Sequence, residues 1–334
     1  MNLIDHARAR ITGPPRRVVF PEGDDPTIQE AALRLAATGL VRPILIGAPE
    51  EFLDRLSPLV MDAAGCVVTD PRGDPRLRGY AAAYAARHDL PDSAAELIAR
   101  RPLFFAALMV AYRDADALVA GIASPTEDVI VASQLALGLS DQTAPPCSVY
   151  VLDIPGRTSP EGSLLALADP AMNPQPDASD LADIATAAAA AVHGMLGWEP
   201  RVALLSFSTH GSADHPAVDV VRTACVLLRE RQVPFAFDGE LQLDAALDER
   251  IAQRKLGGTS PVAGRANVLV FPNLDAANIG AKLLLHFAKA DAYGPFLLGF
   301  TAPVSDLSRG ARVEDVVGTA LLAATMPRPE TGPS

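Results

Sequence analysis

Within residues 16–47 the chain reads as strand, helix and strand, and this alternation constrains the fold more than any other feature. Arg16–Pro21 has a buried-strand pattern, and Glu22–Pro26 forms a turn before a helix that extends to Gly39. The helix begins with proline in its first turn and ends at glycine, and Pro43–Gly47 is the next apolar strand. A strand, a helix and a strand within about thirty residues predict an α/β fold with a mostly parallel sheet flanked by helices.

The alternation continues along the chain and predicts two domains. At 334 residues the chain exceeds the size at which one core usually keeps growing. A Pro/Ser/Asp-rich region at 139–146 marks a border, and the late strand Tyr293–Phe300 is expected to return to the first domain. The predicted domains are 1–143 plus 295–334, and 144–294. Further strands are predicted at Gly65–Asp70, Asp116–Val119, Val149–Leu152, Arg201–Ser206, Val233–Phe237 and Asn267–Phe271, and further helices at Pro75–His88, Asp92–Tyr112, Leu181–Leu196, Pro216–Arg231, Ala276–Ala288 and Val313–Met326.

Composition and charge exclude several classes of function. Hydrophobic residues make up 49% of the chain and charged residues 20%, with a net charge of −12. No run of Lys or Arg offers a basic face to a phosphate backbone, so nucleic acid is not expected as a partner. The apolar stretches are too short to cross a bilayer, and the N-terminus lacks a signal pattern, so we expect no membrane partner and a cytoplasmic location.

The cysteine and histidine patterns do not indicate a metal site or a disulfide framework. Cys66, Cys147 and Cys225 are odd in number, widely spaced and set among apolar neighbours, which predicts reduced, packed thiols. His210 and His215 share no motif with a carboxylate or a cysteine. The sequence therefore predicts chemistry without a bound metal.

The segment Pro303–Asp315 places a hydroxyl, a guanidinium and a carboxylate within eight residues of one another. Arg309 can hold a phosphoryl dianion or face a developing oxyanion, and Ser308 can hydrogen-bond the same atoms. Asp315 can take a proton from a nucleophile. Taken alone, the pattern also fits a solvated ion pair at the start of a surface helix.

A second candidate is the loop Ser208–Ser212, which follows a predicted strand and precedes a predicted helix. Hydroxyls and free backbone N–H groups at such a position form an anion cradle, but an ordinary capping turn has the same composition. Asn278 and Lys282 lie one helical turn apart, and either a substrate contact or a solvated helix face explains them.

Four stretches, read together, carry a resemblance to a known family. In their order and spacing they resemble the phosphate acetyl/butyryltransferase family, and the resemblance spans about residues 16–326. The Ser-Thr-x-Gly-Ser loop with Asp-Gly-Glu-Leu-Gln is most similar to the acetyltransferase members. The stretches are Val19–Asp24, Leu204–Ala213, Phe237–Ala245 and Ser260–Ile279.

The resemblance implies a two-domain protein, usually a homodimer, whose active-site cleft between the domains binds coenzyme A (CoA) and an acyl phosphate. The implied reaction is acetyl-CoA plus phosphate giving acetyl phosphate plus CoA, reversibly and by direct thiolate attack. CoA is then a substrate, and neither a cofactor nor a metal is expected. In this scheme Arg309 holds phosphate and stabilises charge, Asp315 is the base for the CoA thiol, and Ser308 assists orientation.

The resemblance also implies a set of substrate-binding residues. Arg87 matches a position that meets CoA in the family, and the remaining positions lie in the matched stretches or beside them. The expected set is Arg87, Thr126, Ser208, Thr209, Gly211, Ser212 and Asn278.

At four positions the chain departs from the family pattern. Val131 stands where the family usually has Arg, His210 where Lys is common, Ser305 where Asn is usual, and Pro170 where a small residue or Cys is usual. Three functions stay open at this point: a phosphate acetyltransferase, a butyryltransferase-like enzyme with another acyl specificity, or a non-catalytic homologue that binds CoA or acyl phosphate. The cations that can compensate for Val131 are Arg100, Arg101, Arg113 and Arg312.

Overall fold

The structure is a computed structural model that describes residues 3–48, 50, 52, 57–140 and 145–328. The chain divides into two compact units. Among the described residues, those of 3–140 and 300–328 form the N-terminal unit, and those of 145–299 form the central unit. The border expected at 143/144 falls outside the described residues.

Strands and helices alternate along most of the chain. The strands are β1 Arg16–Phe20, β2 Val41–Ile46, β3 Val67–Thr69, β4 Ala117–Ala120, β5 Cys147–Asp153, β6 Leu164–Ala168, β7 Arg201–Leu205, β8 Ala236–Leu241, β9 Val268–Val270, β10 Asp291–Leu298 and β11 Val304–Asp306. The helices are α1 Leu3–Arg10, α2 Pro26–Ala37, α3 Pro58–Ala63, α4 Leu77–His88, α5 Asp92–Ala99, α6 Pro102–Ala111, α7 Thr126–Ala136, α8 Ala178–Leu196, α9 Pro216–Glu230, α10 Leu243–Leu247, α11 Glu249–Leu256, α12 Leu274–Phe287 and α13 Val313–Thr325.

In the N-terminal unit the strand order is β3-β2-β1-β4-β11, and each neighbouring pair is parallel. The predicted βαβ unit is confirmed: Asp25 caps α2 by accepting the N–H groups of Thr27 (2.7 Å) and Ile28 (3.2 Å), and Pro26 follows it. Helices α2, α6 and α13 pack against the strands. The carboxyl ends of β1, β4 and β11 lie side by side, and the loops that follow these strands carry most of the candidate site.

In the central unit the strand order is β10-β5-β6-β9-β7-β8. The pairs from β6 to β8 are parallel, whereas β5 is antiparallel to both β10 and β6. Leucines of β5 and β6 form a core with Leu269 of β9 and Leu241 of β8. Helices α8, α9 and α12 pack against these strands. The mostly parallel sheets predicted from the alternation are confirmed.

Several elements differ from the expected ones: α1, α3, α7 and β11 have no predicted counterpart, and β8 lies later in the chain than the strand expected at Val233–Phe237. The strand expected to return to the first domain is β10, which pairs with β5 from Asp291 to Leu298 and so belongs to the central unit; the chain re-enters the N-terminal unit only at Phe300. The helix expected at Asp92–Tyr112 is two helices, because Pro102 has no N–H for an interior helical bond and starts α6 instead. Strand β6 was not predicted.

The cysteines are buried and form no disulfide, as the sequence predicts. Burial raises the pKa of the Cys66 thiol to about 11 and that of Cys225 to about 12. None of the helices in the described ranges combines the length and the hydropathy that a membrane-crossing helix needs.

Candidate active site

The segment after β11 presents two exposed side chains. Ser308, Arg309 and Gly310 are exposed, and the Ser308 Oγ accepts only a long hydrogen bond from the Gly310 N–H (3.4 Å). The Arg309 guanidinium has no hydrogen bond or ion pair to another residue of the described ranges. A hydroxyl and an unpaired guanidinium therefore stand together, which is the arrangement that binds a phosphoryl group.

Asp315 lies in the first turn of α13 and is already paired. Its Oδ2 accepts from the Arg312 backbone N–H (2.9 Å) and Nε (3.0 Å), and its Oδ1 accepts from Nη2 (2.8 Å). The Asp315 side chain is 14% exposed and that of Arg312 is 59% exposed. Arg312 thus orients Asp315, and one lone pair of Oδ1 is left for a further proton donor.

Asp306 is a buried carboxyl at the end of β11 that motif matching does not reveal. The Thr126 hydroxyl donates to its Oδ2 (2.6 Å), while the buried Oδ1 has no partner in the described structure. Burial, as the largest cause, and the charge of Glu22 raise the pKa of Asp306 to about 6, although the Thr126 hydrogen bond and the charge of Arg309 lower it. Its place at a strand end, two residues before Ser308, is the only sequence signal for it.

Glu22 is a second buried carboxylate near this point. It accepts the backbone N–H groups of four consecutive residues, Gly121 (3.0 Å), Ile122 (3.2 Å), Ala123 (3.0 Å) and Ser124 (2.7 Å). The turn after β1 and the loop after β4 are therefore joined by one side chain. Four donors on one carboxylate offset much of the cost of burying its charge.

Arg87 and Thr126 lie at opposite ends of α7. Arg87 Nη1 donates to the Ala136 carbonyl (3.0 Å), and His88 Nε2 lies 2.9 Å from the Leu135 carbonyl, so both side chains cap the C-terminus of α7. Thr126 begins α7, and an eleven-residue helix is about 16 Å long. The structure therefore brings Thr126, but not Arg87, to the carboxyl ends of β4 and β11.

In the central unit the donors of the predicted anion cradle point to Glu240. The Ser208 hydroxyl (2.8 Å) and the Gly211 N–H (2.9 Å) donate to Glu240 Oε1, and Arg222 Nε donates to Oε2 (3.1 Å). Burial by itself would raise the pKa of Glu240, but these hydrogen bonds outweigh it and lower the pKa to about 2. Ser208 is fully buried. In this structure the cradle holds the protein's own carboxylate.

The other residues of this loop also bond within the protein. Thr209 N–H donates to Ser212 Oγ (2.9 Å), and Thr209 Oγ1 lies 3.2 Å from Gln242 Oε1. His210 Nε2 lies 3.0 Å from Asp238 Oδ1. Apart from this loop, Asn278 Nδ2 on α12 donates to the Pro170 carbonyl (3.1 Å), so this predicted substrate-binding residue ties α12 to the segment after β6.

Val131 lies on a cavity of about 590 Å³ in the N-terminal unit and is 43% exposed. Arg101 is the one cation that lines this cavity within the described residues, and its guanidinium lies 5.9 Å from the Phe104 ring centre. Of the other arginines considered as substitutes, Arg100 pairs with Glu96 and Arg312 pairs with Asp315. Arg101 is therefore the best placed to replace the missing cation.

Clusters of three or more His, Cys, Asp or Glu side chains that are placed to hold a metal ion are not found within the described ranges. A metal-assisted reaction has no candidate ligand set there. Ser308, Arg309 and the carboxylates Asp306 and Asp315 are the candidate groups at this site.

The chain has close relatives among known proteins. A family model described as phosphate acetyl/butaryl transferase matches residues 2–324. A phosphate acetyltransferase of Thermoanaerobacterium thermosaccharolyticum is 38% identical over 321 residues, which cover 95% of this chain and 97% of that protein. One from Paracoccus denitrificans is 39% identical over 313 residues, covering 92% and 94%. Among solved structures, a phosphotransacetylase from Streptococcus pyogenes matches with a TM-score of 0.84 and 31% identity over 97% of each chain.

Proposed function

Because the chain belongs to the phosphate acetyl/butyryltransferase family, we propose that it is a phosphate acetyltransferase, which transfers an acetyl group reversibly between CoA and inorganic phosphate. The observation that carries the assignment of the site is the unpaired Arg309 guanidinium beside Ser308. Relatives that are named phosphate acetyltransferases favour this acyl group over butyryl, and they favour an enzyme over a non-catalytic binding protein.

The step from acetyl phosphate and CoA to acetyl-CoA and phosphate needs one proton acceptor and one cation. The CoA sulfur attacks the carbonyl carbon of acetyl phosphate and forms a C–S bond. The bond between this carbon and the bridging oxygen breaks, and the oxygen leaves with the phosphate. The thiol proton passes to Asp315, because a thiol with a pKa near ~8.5 is mostly protonated at neutral pH. Arg309 faces the carbonyl oxygen and the leaving phosphate, both of which gain negative charge, while Ser308 orients the phosphoryl oxygens.

Further residues are proposed to contact the substrates. Arg87, Thr126 and Asn278 remain candidates for substrate binding. Arg101 is a further candidate because it lines the same cavity as Val131. Ser208, Thr209, Gly211 and Ser212 bond to protein groups, so we assign them first to holding their loop. CoA, phosphate and acetyl phosphate are the proposed small-molecule partners. We propose that the protein acts in the cytoplasm and has no resident cofactor.

CoA-dependent release of phosphate from acetyl phosphate tests the function directly. We expect turnover with CoA, none without it, and a higher kcat/KM for acetyl-CoA than for propionyl- or butyryl-CoA in the reverse direction. Asp315→Asn should lower kcat and leave both KM values within a few-fold. A preference for butyryl-CoA would support a butyryltransferase-like enzyme, and binding of CoA without turnover would support a non-catalytic homologue.

We also propose a homodimer that uses one face of α12. Ile279 (57%), Leu283 (51%) and Phe287 (83%) are exposed at four-residue spacing, so they form one apolar ridge. Asp275 lies in the first turn of α12, whereas His286 and Lys289 lie at its C-terminal end. Two copies of α12 packed antiparallel would place unlike charges opposite each other, which supports a second copy of the chain as the occupant. Sedimentation velocity measures the oligomeric state.

A further inference from the structure

Asp306 is a buried carboxyl that the proposed reaction does not use. It is 3% exposed, lies at the last residue of β11, and pairs in register with Ala120 of β4. Of its two oxygens, Oδ2 accepts from Thr126, and Oδ1 is buried without a partner in the described structure. A carboxylate with only one hydrogen bond is an expensive group to bury, so its contacts need an explanation.

The surroundings of Asp306 join two loops of the candidate site. A Cβ atom built on Gly121, whose φ is +108°, would lie 2.0 Å from Asp306 Oδ1. The loop of residues 121–126 therefore touches the carboxyl at Gly121 and is bonded to it at Thr126. Ser308 and Arg309 follow Asp306 by two and three residues, so their backbone is anchored at the same point.

The charged groups that face Asp306 are Glu22, from the turn after β1, and Arg309, from its own loop. Residues 121–125 carry no ionisable side chain. Burial, and after it the charge of Glu22, raise the pKa of Asp306 to about 6. The proton is therefore lost within the pH range in which the reaction is assayed.

We propose that Asp306 is a positioning residue for acyl transfer, whose carboxylate holds Thr126, and with it the loop of residues 121–126, against the segment that carries Ser308 and Arg309. The proposal rests on the proposed phosphate acetyltransferase function. Ionised Asp306 gives Thr126 a charge-assisted acceptor, which is roughly twice as strong as a neutral one. Protonation weakens this bond and loosens the placement of Arg309.

The test compares kcat for CoA-dependent phosphate release between pH 5 and 8 in wild type, Asp306→Asn, Thr126→Val and Thr126→Ser. Asp306→Asn keeps the shape but removes the charge, so its kcat should match the wild type near pH 5 and fall below it by roughly tenfold or more above pH 7. Thr126→Val should show the same loss, and the double variant should be no worse than either single one. Thr126→Ser keeps the hydroxyl and should restore most of kcat.

Thermal melting separates positioning from a structural role. The pKa of Asp306 is higher in the folded than in the unfolded protein. The stability that this group contributes is therefore fully present when the pH is below the unfolded pKa, and it is lost as the pH rises through the folded pKa of about 6. Asp306→Asn, which is always neutral, should therefore melt at a higher Tm than wild type at pH 7.5 although its kcat is lower. A purely structural carboxylate would lower Tm and kcat together.

Asp116→Asn is the matched control in the same unit. Asp116 accepts from the Arg17 backbone N–H (2.8 Å) and Nη2 (2.9 Å), so its loss should lower Tm and leave the pH profile of kcat unchanged. The proposal is overturned if Asp306→Asn keeps the wild-type kcat at pH 8, or if its Tm falls as its kcat does. If wild type releases no phosphate, the proposed function fails and this proposal fails with it; in the other cases the function stands.

Discussion

Arg309 is the exposed guanidinium on which the proposed chemistry depends. We expect Arg309→Ala to raise the KM for acetyl phosphate about tenfold to a hundredfold and to lower kcat as well, because one group serves substrate binding and transition-state charge. Arg309→Lys should recover only part of both, since a point charge does not reproduce the planar fork. Initial-rate kinetics in both directions measure the effect, and wild-type constants in both variants would remove Arg309 from the mechanism.

Val131 lines the cavity of about 590 Å³, at a position where the resemblance implies an arginine in the family. Because Val131 is 43% exposed, an arginine has room to extend, and overpacking is not expected. We expect Val131→Arg to lower the KM for CoA or acetyl phosphate at low ionic strength, with a gain that shrinks as salt is added. Val131→Gln, of similar length without charge, is the control. Unchanged affinity together with a lower Tm would mean that the cavity has been rebuilt around Val131.

The sequence identifies the residues of the site that belong to short motifs, but not those whose role depends on burial. Ser308, Arg309 and Asp315 stand out because they are close in the chain. The role of Asp306 is not visible in the sequence because its pKa is raised by burial and by the charge of Glu22, and its hydrogen-bond donor, Thr126, lies 180 residues earlier in the chain. The sequence of the Ser208–Ser212 loop fits both an anion cradle and a capping turn, and the acceptor of the Ser208 hydroxyl, Glu240, lies 32 residues away in the chain, so local sequence does not identify it.

The loop after β4 allows a direct test of close packing at Gly121. Alanine there combines a positive φ of +108° with a Cβ 2.0 Å from Asp306 Oδ1. We expect Gly121→Ala to reduce the free energy of unfolding by about 1 to 3 kcal/mol more than Gly39→Ala, where φ is +69° and nothing lies within 4 Å. Urea unfolding of both variants measures the difference, and equal losses would contradict the close approach.

The loop Ser208–Ser212 should make stability depend on pH through Glu240. The folded pKa of about 2 lies below the ordinary 4.5, so this contribution is present above pH 4.5 and is lost as the pH falls through 2. We expect Glu240→Gln to cost up to about 3 kcal/mol at pH 7 and nothing near pH 2. The exposed Glu230→Gln is the control, and a pH-independent loss would contradict the assignment.

At the level of elements, periodicity and caps predict most helices and parallel strands, whereas pairing partners are harder to predict. The βαβ start is predictable because its cap and its proline are local signals. The antiparallel pairing of β10 with β5 joins segments more than a hundred residues apart, and no local pattern specifies it. Strand β6, Leu164–Ala168, is a short, continuously apolar segment, which periodicity alone does not distinguish from a buried helix.

At the scale of the whole molecule, the apolar ridge of α12 predicts how the oligomer responds to one substitution. Leu283→Arg places a charge in the middle of the proposed dimer contact, so it should shift the sedimentation coefficient towards that of a monomer. Leu97→Arg changes an equally apolar residue that is 71% exposed on α5 and should leave the oligomer unchanged. A dimer that persists in Leu283→Arg at micromolar concentration would place the contact elsewhere.

The Glu22 carboxylate has a consequence for hydrogen exchange. Because Glu22 accepts the N–H groups of residues 121–124, and no other acceptor for them is found among the described residues, those amide protons share one protecting group. They should exchange with deuterium as one cooperative set, at a rate given by how often Glu22 leaves the loop. Ligands that bind at Ser308 and Arg309 would slow this exchange, so four adjacent amides become an internal reporter of motion at the site, measurable by hydrogen–deuterium exchange mass spectrometry without an attached probe.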